Sequence, residues 1–375
     1  MDTIKKVEYK NQHYIPKSYF KLFSDDGKTI LIYDKEKKEF YKNASIKDQG
    51  SEDYFYGKNT EFEKSVSKLE DEIILILRKL NSNGFQLITT EDYRTILTYL
   101  CFQYKRTRHD KDLTNQLSSK LHRQLIRETR SKIDTGNVLT DEIIERIKVD
   151  DPHLFIYSMA RSLYSGVLLS DLQRCILVNK TNRRFVFSDS PAVLHNSYFC
   201  NNKNTGVGFQ SPGLQLLFPI SNEKVLLLYD KEYYSINPEN ETINVTNKKD
   251  VSLINLLQML YCSKLVFFSK NSEINRLQKL RKDYDKLFVR PKINETKYKF
   301  NNREGINEFI KLFNTLYNFK LNLSFIKEKT LIKKEEFFRN KDICDFYEKV
   351  VMENLDGKFS PPKDSYEVKV VPKTK

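Results

Sequence analysis

The stretch Asn11-Gln12-His13-Tyr14-Ile15-Pro16 packs an amide, an imidazole and a phenol into three consecutive positions ahead of a proline. Pro16 has no N–H and biases Ile15 toward an extended conformation, so these side chains are presented from a stiff, non-helical backbone. Two further sets lie downstream. Gln103 and Arg106, three residues apart, share one face of a predicted helix. Asp189, in Ser188-Asp189-Ser190-Pro191, stands at a strand end before a proline. A histidine, an arginine, an aspartate and a glutamine converging on one cleft can deprotonate a nucleophile and stabilise a developing phosphorane, the requirements of phosphodiester cleavage. In that arrangement His13 is the general base or acid, Arg106 neutralises phosphate, and Asp189 orients His13 or binds a divalent cation such as magnesium. Glu63 or Glu70 supplies a second carboxylate, which makes Asp189, Glu63 and Glu70 the candidate metal ligands. The same residues also suit a buried hydrogen-bond network, with His13 and Gln12 bonded to backbone, Asp189 capping the turn before Pro191 and the glutamates in solvent.

The elements that must position them are legible in outline. Tyr19, Phe20 and Phe23 fall on one face of a short helix after Pro16 and tie that segment to a core. Thr29 to Tyr33 and Glu39 to Tyr41 flank a polar turn and predict a hairpin. Residues 43–59 read as loop. Helical spacing then carries Phe62, Val66, Leu69, Ile73, Ile76, Leu77 and Leu80 on one side, with Glu63 and Glu70 about two turns apart. Thr89 or Thr90 opens a second helix that ends near Arg106. Helices are expected to continue through 141–148 and 154–171. Cys175 to Asn179 and Arg184 to Phe187 predict a hairpin leading into Asp189; Leu214 to Pro219 and Val225 to Tyr229 predict a second strand pair. An amphipathic helix over 250–263 carries Asn255, a buried strand follows at 265–268 and a charged helix at 272–286. Beyond Pro291 the segments 303–318 and 333–355 read as Lys- and Asn-rich helices with Phe309, Phe313, Phe337 and Phe346 as anchors.

The fold class this implies is α+β, a mixed and mainly antiparallel sheet with a large helical block inserted at about 60–173. The core domain is expected over 1–290, a helical unit over 291–355 and a flexible tail over 356–375. The β elements from both sides of the insertion are expected to share one sheet, so that His13, Arg106 and Asp189 meet at its base.

With 39% hydrophobic and 30% charged residues, the chain belongs with folded globular proteins and not with disordered ones. No apolar run suits a membrane helix and the start lacks a signal-peptide core, so the expected location is the cytoplasm. The five cysteines are scattered without zinc or redox spacing and read as buried thiols. The 64 Lys and Arg against 50 Asp and Glu give a net charge of +14, which favours polyanionic partners. Arg108, Arg123, Arg127 and Arg130 lie in a strongly basic segment that is either a solvated helix face or a track for a nucleic-acid backbone. Glycine-rich phosphate loops, His-Glu-x-x-His helices and Gly-x-Ser-x-Gly elbows are missing. Asp356 with Glu367-Val368-Lys369 mimics nuclease carboxylate spacing but lacks a flanking sheet in this reading.

Taken together, Gln12-His13-Tyr14-Ile15-Pro16, Glu63 with Glu70, Gln103-x-x-Arg106-Thr107, Ser188-Asp189-Ser190-Pro191 and Phe218-Pro219-Ile220-Ser221 resemble a family of microbial proteins catalogued as domain of unknown function 4238. The Asn255 helix leading to Val266-Phe267-Phe268 adds to the resemblance, which spans about residues 10–270. Arg108 stands where that family usually has a proline after the Arg-Thr pair. The resemblance implies that His13, Tyr14, Gln103, Arg106 and Asp189 occupy its recurring polar positions. Gln12 and Asn255 are expected beside them as substrate-binding residues. The resemblance carries no assigned activity. Two functions are therefore expected: a hydrolase of nucleic-acid or nucleotide phosphodiesters, suited to defence against phage, or a non-enzymatic module that binds nucleic acid or a small anion.

Overall fold

The computed structural model describes residues 10–57, 60–133, 138–201, 207–288, 293–302, 305–314, 317–330, 338–355 and 367–370. Its architecture is α+β, built on two sheets instead of the single shared one expected. The first has four antiparallel strands in the order Glu39–Ser45, Thr29–Asp34, Leu265–Phe268, Phe187–Ser188, and so joins the N-terminal hairpin to the far side of the helical block. The second has five, in the order Thr242–Val245, Gln173–Asn179, Lys224–Tyr229, Gln215–Pro219, Val193–His195; only its outermost pair, Thr242–Val245 with Gln173–Asn179, is parallel.

Successive side chains on a strand point to opposite faces, and this alternation builds two cores. Ile176, Leu226, Leu228 and Phe267 face the helices Thr60–Asn83, Thr90–Lys105 and Pro152–Tyr164, whose Leu77, Leu80, Leu100, Phe102, Phe155 and Met159 complete the first core. Cys175, Leu177, Val225, Leu227, Val266 and Phe268 face the other way, onto Ile254 and Leu257 of the helix Lys248–Tyr261. The segment after Pro16 docks as its spacing requires. Phe23 lies 4.4 Å from Phe187 and Phe20 lies 4.9 Å from Phe267 between ring centroids. Gly50 is obligatory beside it, because a Cβ there would meet Ile15 and Phe20 at 2.9 Å and its φ of +66° is left-handed.

Four expectations are corrected. Cys175 to Phe187 is no hairpin: both edges of Gln173–Asn179 are already paired, and the backbone of Arg184 and Val186 is instead satisfied by the Asn255 side chain. Residues 147–150 form a strand, Ile147–Asp150, which pairs with Glu367–Val370, so the C-terminal tail is anchored there and does have a β partner. The stretch expected as a helix from 303 contains the strand Gly305–Asn314, paired with Ile293–Asn302; its apolar residues recur at both twos and fours, which periodicity alone does not resolve. The core does not stop at 290, since Tyr317, Phe319, Leu321 and Leu323 are buried in the second core. The helix expected from 333 is found as Lys341–Asn354; Phe337 and residues 356–366 lie outside the described residues. Among the described residues no helix is long and apolar enough to cross a membrane.

The C-terminal helix is fastened by Arg339, whose side chain is 7% exposed and grips Asp171 at 2.8 to 3.0 Å while donating to the carbonyls of Ser211 and Leu168. Removing one partner of a buried pair leaves the other charge uncompensated. Arg339→Ala is expected to cost roughly 3 kcal/mol and to accelerate amide exchange across 341–354 while leaving 215–229 protected; equal loss of protection in both segments would contradict this local role.

Candidate functional site

The helix Thr90–Lys105 starts at a capping box made by Thr89 and Asp92. It ends where Arg106 leaves helical geometry, at φ −87° and ψ 56°. That break turns the Arg106 side chain into the protein, where it is 1% exposed. Its guanidinium donates to the His13 carbonyl, to the Tyr56 hydroxyl and to the Glu70 carboxylate. One turn earlier Gln103 Nε2 donates to the next carbonyl, Tyr14, at 2.9 Å, and Gln103 Oε1 accepts from Tyr99 at 3.1 Å. Gln12 completes the set: its amide donates to Gly57 O at 2.9 Å and accepts from the Tyr56 N–H at 2.6 Å. The structure therefore does bring Gln12, His13, Tyr14, Gln103 and Arg106 together, but around the backbone of the N-terminal strand. His13 gives Arg106 its carbonyl, not its imidazole. Burial, helped by the charges of Lys17 and Arg106, pushes the His13 imidazole down to about 4, so it is neutral. Tyr14 is a core residue, 1% exposed, its ring 5.1 Å from Phe55.

Asp189 is turned elsewhere. Fully buried, it accepts the N–H groups of Ser263, Lys264 and Leu265 at 2.7, 2.7 and 2.9 Å, which fixes the start of the strand Leu265–Phe268. Burial pushes its pKa up against the pull of those three donors. Both oxygens being engaged, it neither orients His13 nor offers a metal ligand. Glu70 is paired with Arg106; Glu63 is half-buried, its pKa raised by burial, and neither glutamate stands free in solvent. Among the described residues no group of three His, Cys, Asp or Glu side chains is arranged to hold a metal ion. Asn255 braces Arg184 and Val186 and offers nothing to a substrate.

In the basic segment, part of the helix Arg108–Ile133, the arginines named from the sequence are engaged with neighbouring groups. Arg127 pairs with Glu145, Arg130 with Asp141 at 3.2 Å, and Arg123 donates to the Glu145 carbonyl at 3.0 Å. These arginines hold the helix Asp141–Glu145 in place. Arg108 pairs with Glu52 at 2.9 Å and lies over the Tyr14 ring.

On the other side of the Arg106–Thr107 turn lies a cavity of about 320 Å³. Its walls draw on three of the motif segments. Tyr104, Thr107, His109 and Asp110 flank the turn, Ser190 and Ala192 follow Asp189, and Leu260 to Ser263 end the Asn255 helix. Lys35, Lys38 and Glu36 reach it from the first hairpin, and Arg281, Phe288 and Tyr317 close it from the C-terminal side. Lys35 Nζ donates to the carbonyls of Leu260 and Cys262 at 2.7 and 3.1 Å, while Arg281 stacks on Phe288 at 4.2 Å. The motif residues are thus a frame, and the cavity is what they frame. The sequence model of the family described as protein of unknown function DUF4238 matches residues 11–272, more than half of the chain. The chain belongs to the DUF4238 family. No curated protein and no solved structure matches it.

In this DUF4238 protein the cavity residues were readable only where they adjoin a motif, as Tyr104, Asp110 and Ser190 do. His109, two residues past Thr107, is also at the wall. Arg281, Phe288 and Tyr317 carry no sequence signal, because all three lie beyond the matched region and arrive by tertiary packing. The five cysteines are buried free thiols.

Asp189→Asn places an amide donor against backbone donors, and a lost buried acceptor costs about 1–3 kcal/mol; the variant is expected to lose about that much in denaturant melts, and an unchanged midpoint would contradict the bracing role. A second expectation concerns pH. His195 is fully buried, which pushes its imidazole down to about 4 from 6.5. Between those values the unfolded chain binds the extra proton, so this stabilisation is complete above pH 6.5 and is lost as pH falls toward 4. From pH 7.5 to 5 the loss is on the order of 2 kcal/mol, and His195→Gln is expected to flatten the measured slope by about that amount.

Proposed function

We propose that this protein binds a small phosphate ester in the cavity, the anion-binding member of the two functions the sequence suggests. The observation that carries the reading is the composition of that wall: three cations, Lys35, Lys38 and Arg281, set among the carboxylates of Glu36, Asp110 and Asp112 and beside a surface of Tyr104, Tyr261, Tyr317 and Phe288, in a volume suited to a small organic molecule. Lysine has three N–H donors and Lys35 directs two to backbone, so one is left for an anion. The Arg281 guanidinium is stacked on Phe288 and paired with Asp285 through Nη1, which holds it flat at the wall and leaves its remaining N–H groups for a phosphate oxygen.

Hydrolysis of a phosphodiester in the same cavity is the second reading, favoured by His109, Asp110 and Asp112 on its wall, one imidazole and two carboxylates within reach of a ligand held by Arg281. Turnover would show as products from labelled oligonucleotide or dinucleotide, with magnesium or chelator, that vanish in Asp110→Ala.

Binding is checked by calorimetric titration with ribose 5-phosphate and with nucleoside monophosphates. A charge-assisted hydrogen bond is worth about 1.5–3 kcal/mol, so Arg281→Ala is expected to weaken binding about tenfold or more with the fold intact. Failure of every phosphate ester to bind would overturn the proposal.

A further inference from the structure

A phosphate ester accounts for the cations of the cavity and leaves two polar groups on its wall unanswered. Asp110 Oδ2 and Ser190 Oγ are shielded from solvent and have no hydrogen-bond partner among the described residues. Their residues line the cavity and are 6% and 8% exposed. The neighbouring polar atoms are accounted for: Asp110 Oδ1 accepts from Lys105 Nζ at 2.9 Å, the Asp110 N–H donates to Thr107 Oγ1 at 3.1 Å, and the Ser190 N–H donates to Ser188 Oγ at 3.2 Å. A buried polar group left alone is costly, and native proteins keep such groups where a ligand or water completes them.

The two groups differ in what they ask for. A carboxylate paired with a lysine only accepts, so Asp110 calls for an N–H; the Ser190 hydroxyl can donate to a lone pair. Two of the three phenols on the wall do not compete for that role. The Tyr317 hydroxyl donates to the Leu260 carbonyl at 2.6 Å, and the Tyr261 hydroxyl lies 3.3 Å from His195 Nδ1. These tyrosines therefore present ring surface to the ligand.

Building on the phosphate-ester reading, we infer that the ligand's second end is an amino-bearing nucleobase, its exocyclic N–H on Asp110, the adjacent ring nitrogen on Ser190 and its faces against the tyrosines. That makes the ligand a nucleotide of adenine, of cytosine or, through its 2-amino group and N3, of guanine. Uracil and hypoxanthine put a carbonyl where the amino group stands, and so set an acceptor against the carboxylate.

Calorimetry with adenosine, cytidine, inosine and uridine monophosphates and ribose 5-phosphate tests this. An amino-bearing nucleotide is expected to bind about tenfold or more tighter than its keto counterpart and than ribose 5-phosphate, since a site built for a hydrogen bond rejects the analogue lacking it. Asp110→Asn and Ser190→Ala are each expected to reduce that preference while ribose 5-phosphate affinity stays within about twofold; Ser190→Ala, which keeps the Lys105 pair, answers the question if Asp110→Asn does not fold. Ribose 5-phosphate binding with no base preference, or a preference that survives both variants, overturns the nucleobase inference alone. Binding by none of these compounds overturns the phosphate-ester reading with it.

Discussion

A guanidinium removed from water must be surrounded by acceptors, and the demands of Arg106 set the layout of the whole N-terminal half. Its three partners come from three separate stretches: the His13 carbonyl from the first strand, the Tyr56 hydroxyl from the turn after the strand Ser51–Asp53, and Glu70 from the long helix Thr60–Asn83. Satisfying Nε and Nη2, with Nη1 buried and unpartnered among the described residues, locks the strand, the turn and two helices into one unit. The same requirement breaks the helix at Arg106 and redirects the chain into Arg108–Ile133, which puts Thr107, His109 and Asp110 on the cavity wall.

Asp189 performs the matching task on the other side. By collecting three backbone N–H groups it welds the end of the helix Lys248–Tyr261 to the start of a central strand, and it leaves Ser190 and Ser263 facing the cavity. Between these two braces the alternating strands fill both cores, so the wall is held from two directions. Rigid support of this kind is what a recognition site requires of the residues behind it.

Much of the frame was legible because it rests on local rules. Pro16 followed by Tyr19, Phe20 and Phe23, the Thr89 cap, the hairpin from Thr29 and the spacing of Gln103 and Arg106 all act over a few residues, and all are found. The meaning of the motif was harder to read: polar side chains that recur together suit catalysis and backbone bracing equally, and only the acceptor geometry separates them. The basic segment reads from sequence as either a solvated face or a track because the partners of its arginines, Asp141 and Glu145, sit in the next helix and are joined to it only by the fold. The false hairpin at Cys175 failed on a tertiary fact, the prior occupation of both edges of its first strand. The cavity itself has no local signature, since Lys35, Asp110, Ser190 and Arg281 are brought together from four distant parts of the chain.

The most direct measurement is a crystal structure of the protein soaked with adenosine monophosphate. If the motif is a frame and the cavity is the site, ligand density lies between Tyr104, Tyr261 and Tyr317 with phosphate at Arg281, and the Arg106 network is unchanged from its present partners. Ligand density on the His13 imidazole with Arg106 released from the His13 carbonyl would contradict the account and return the motif residues to the reaction centre.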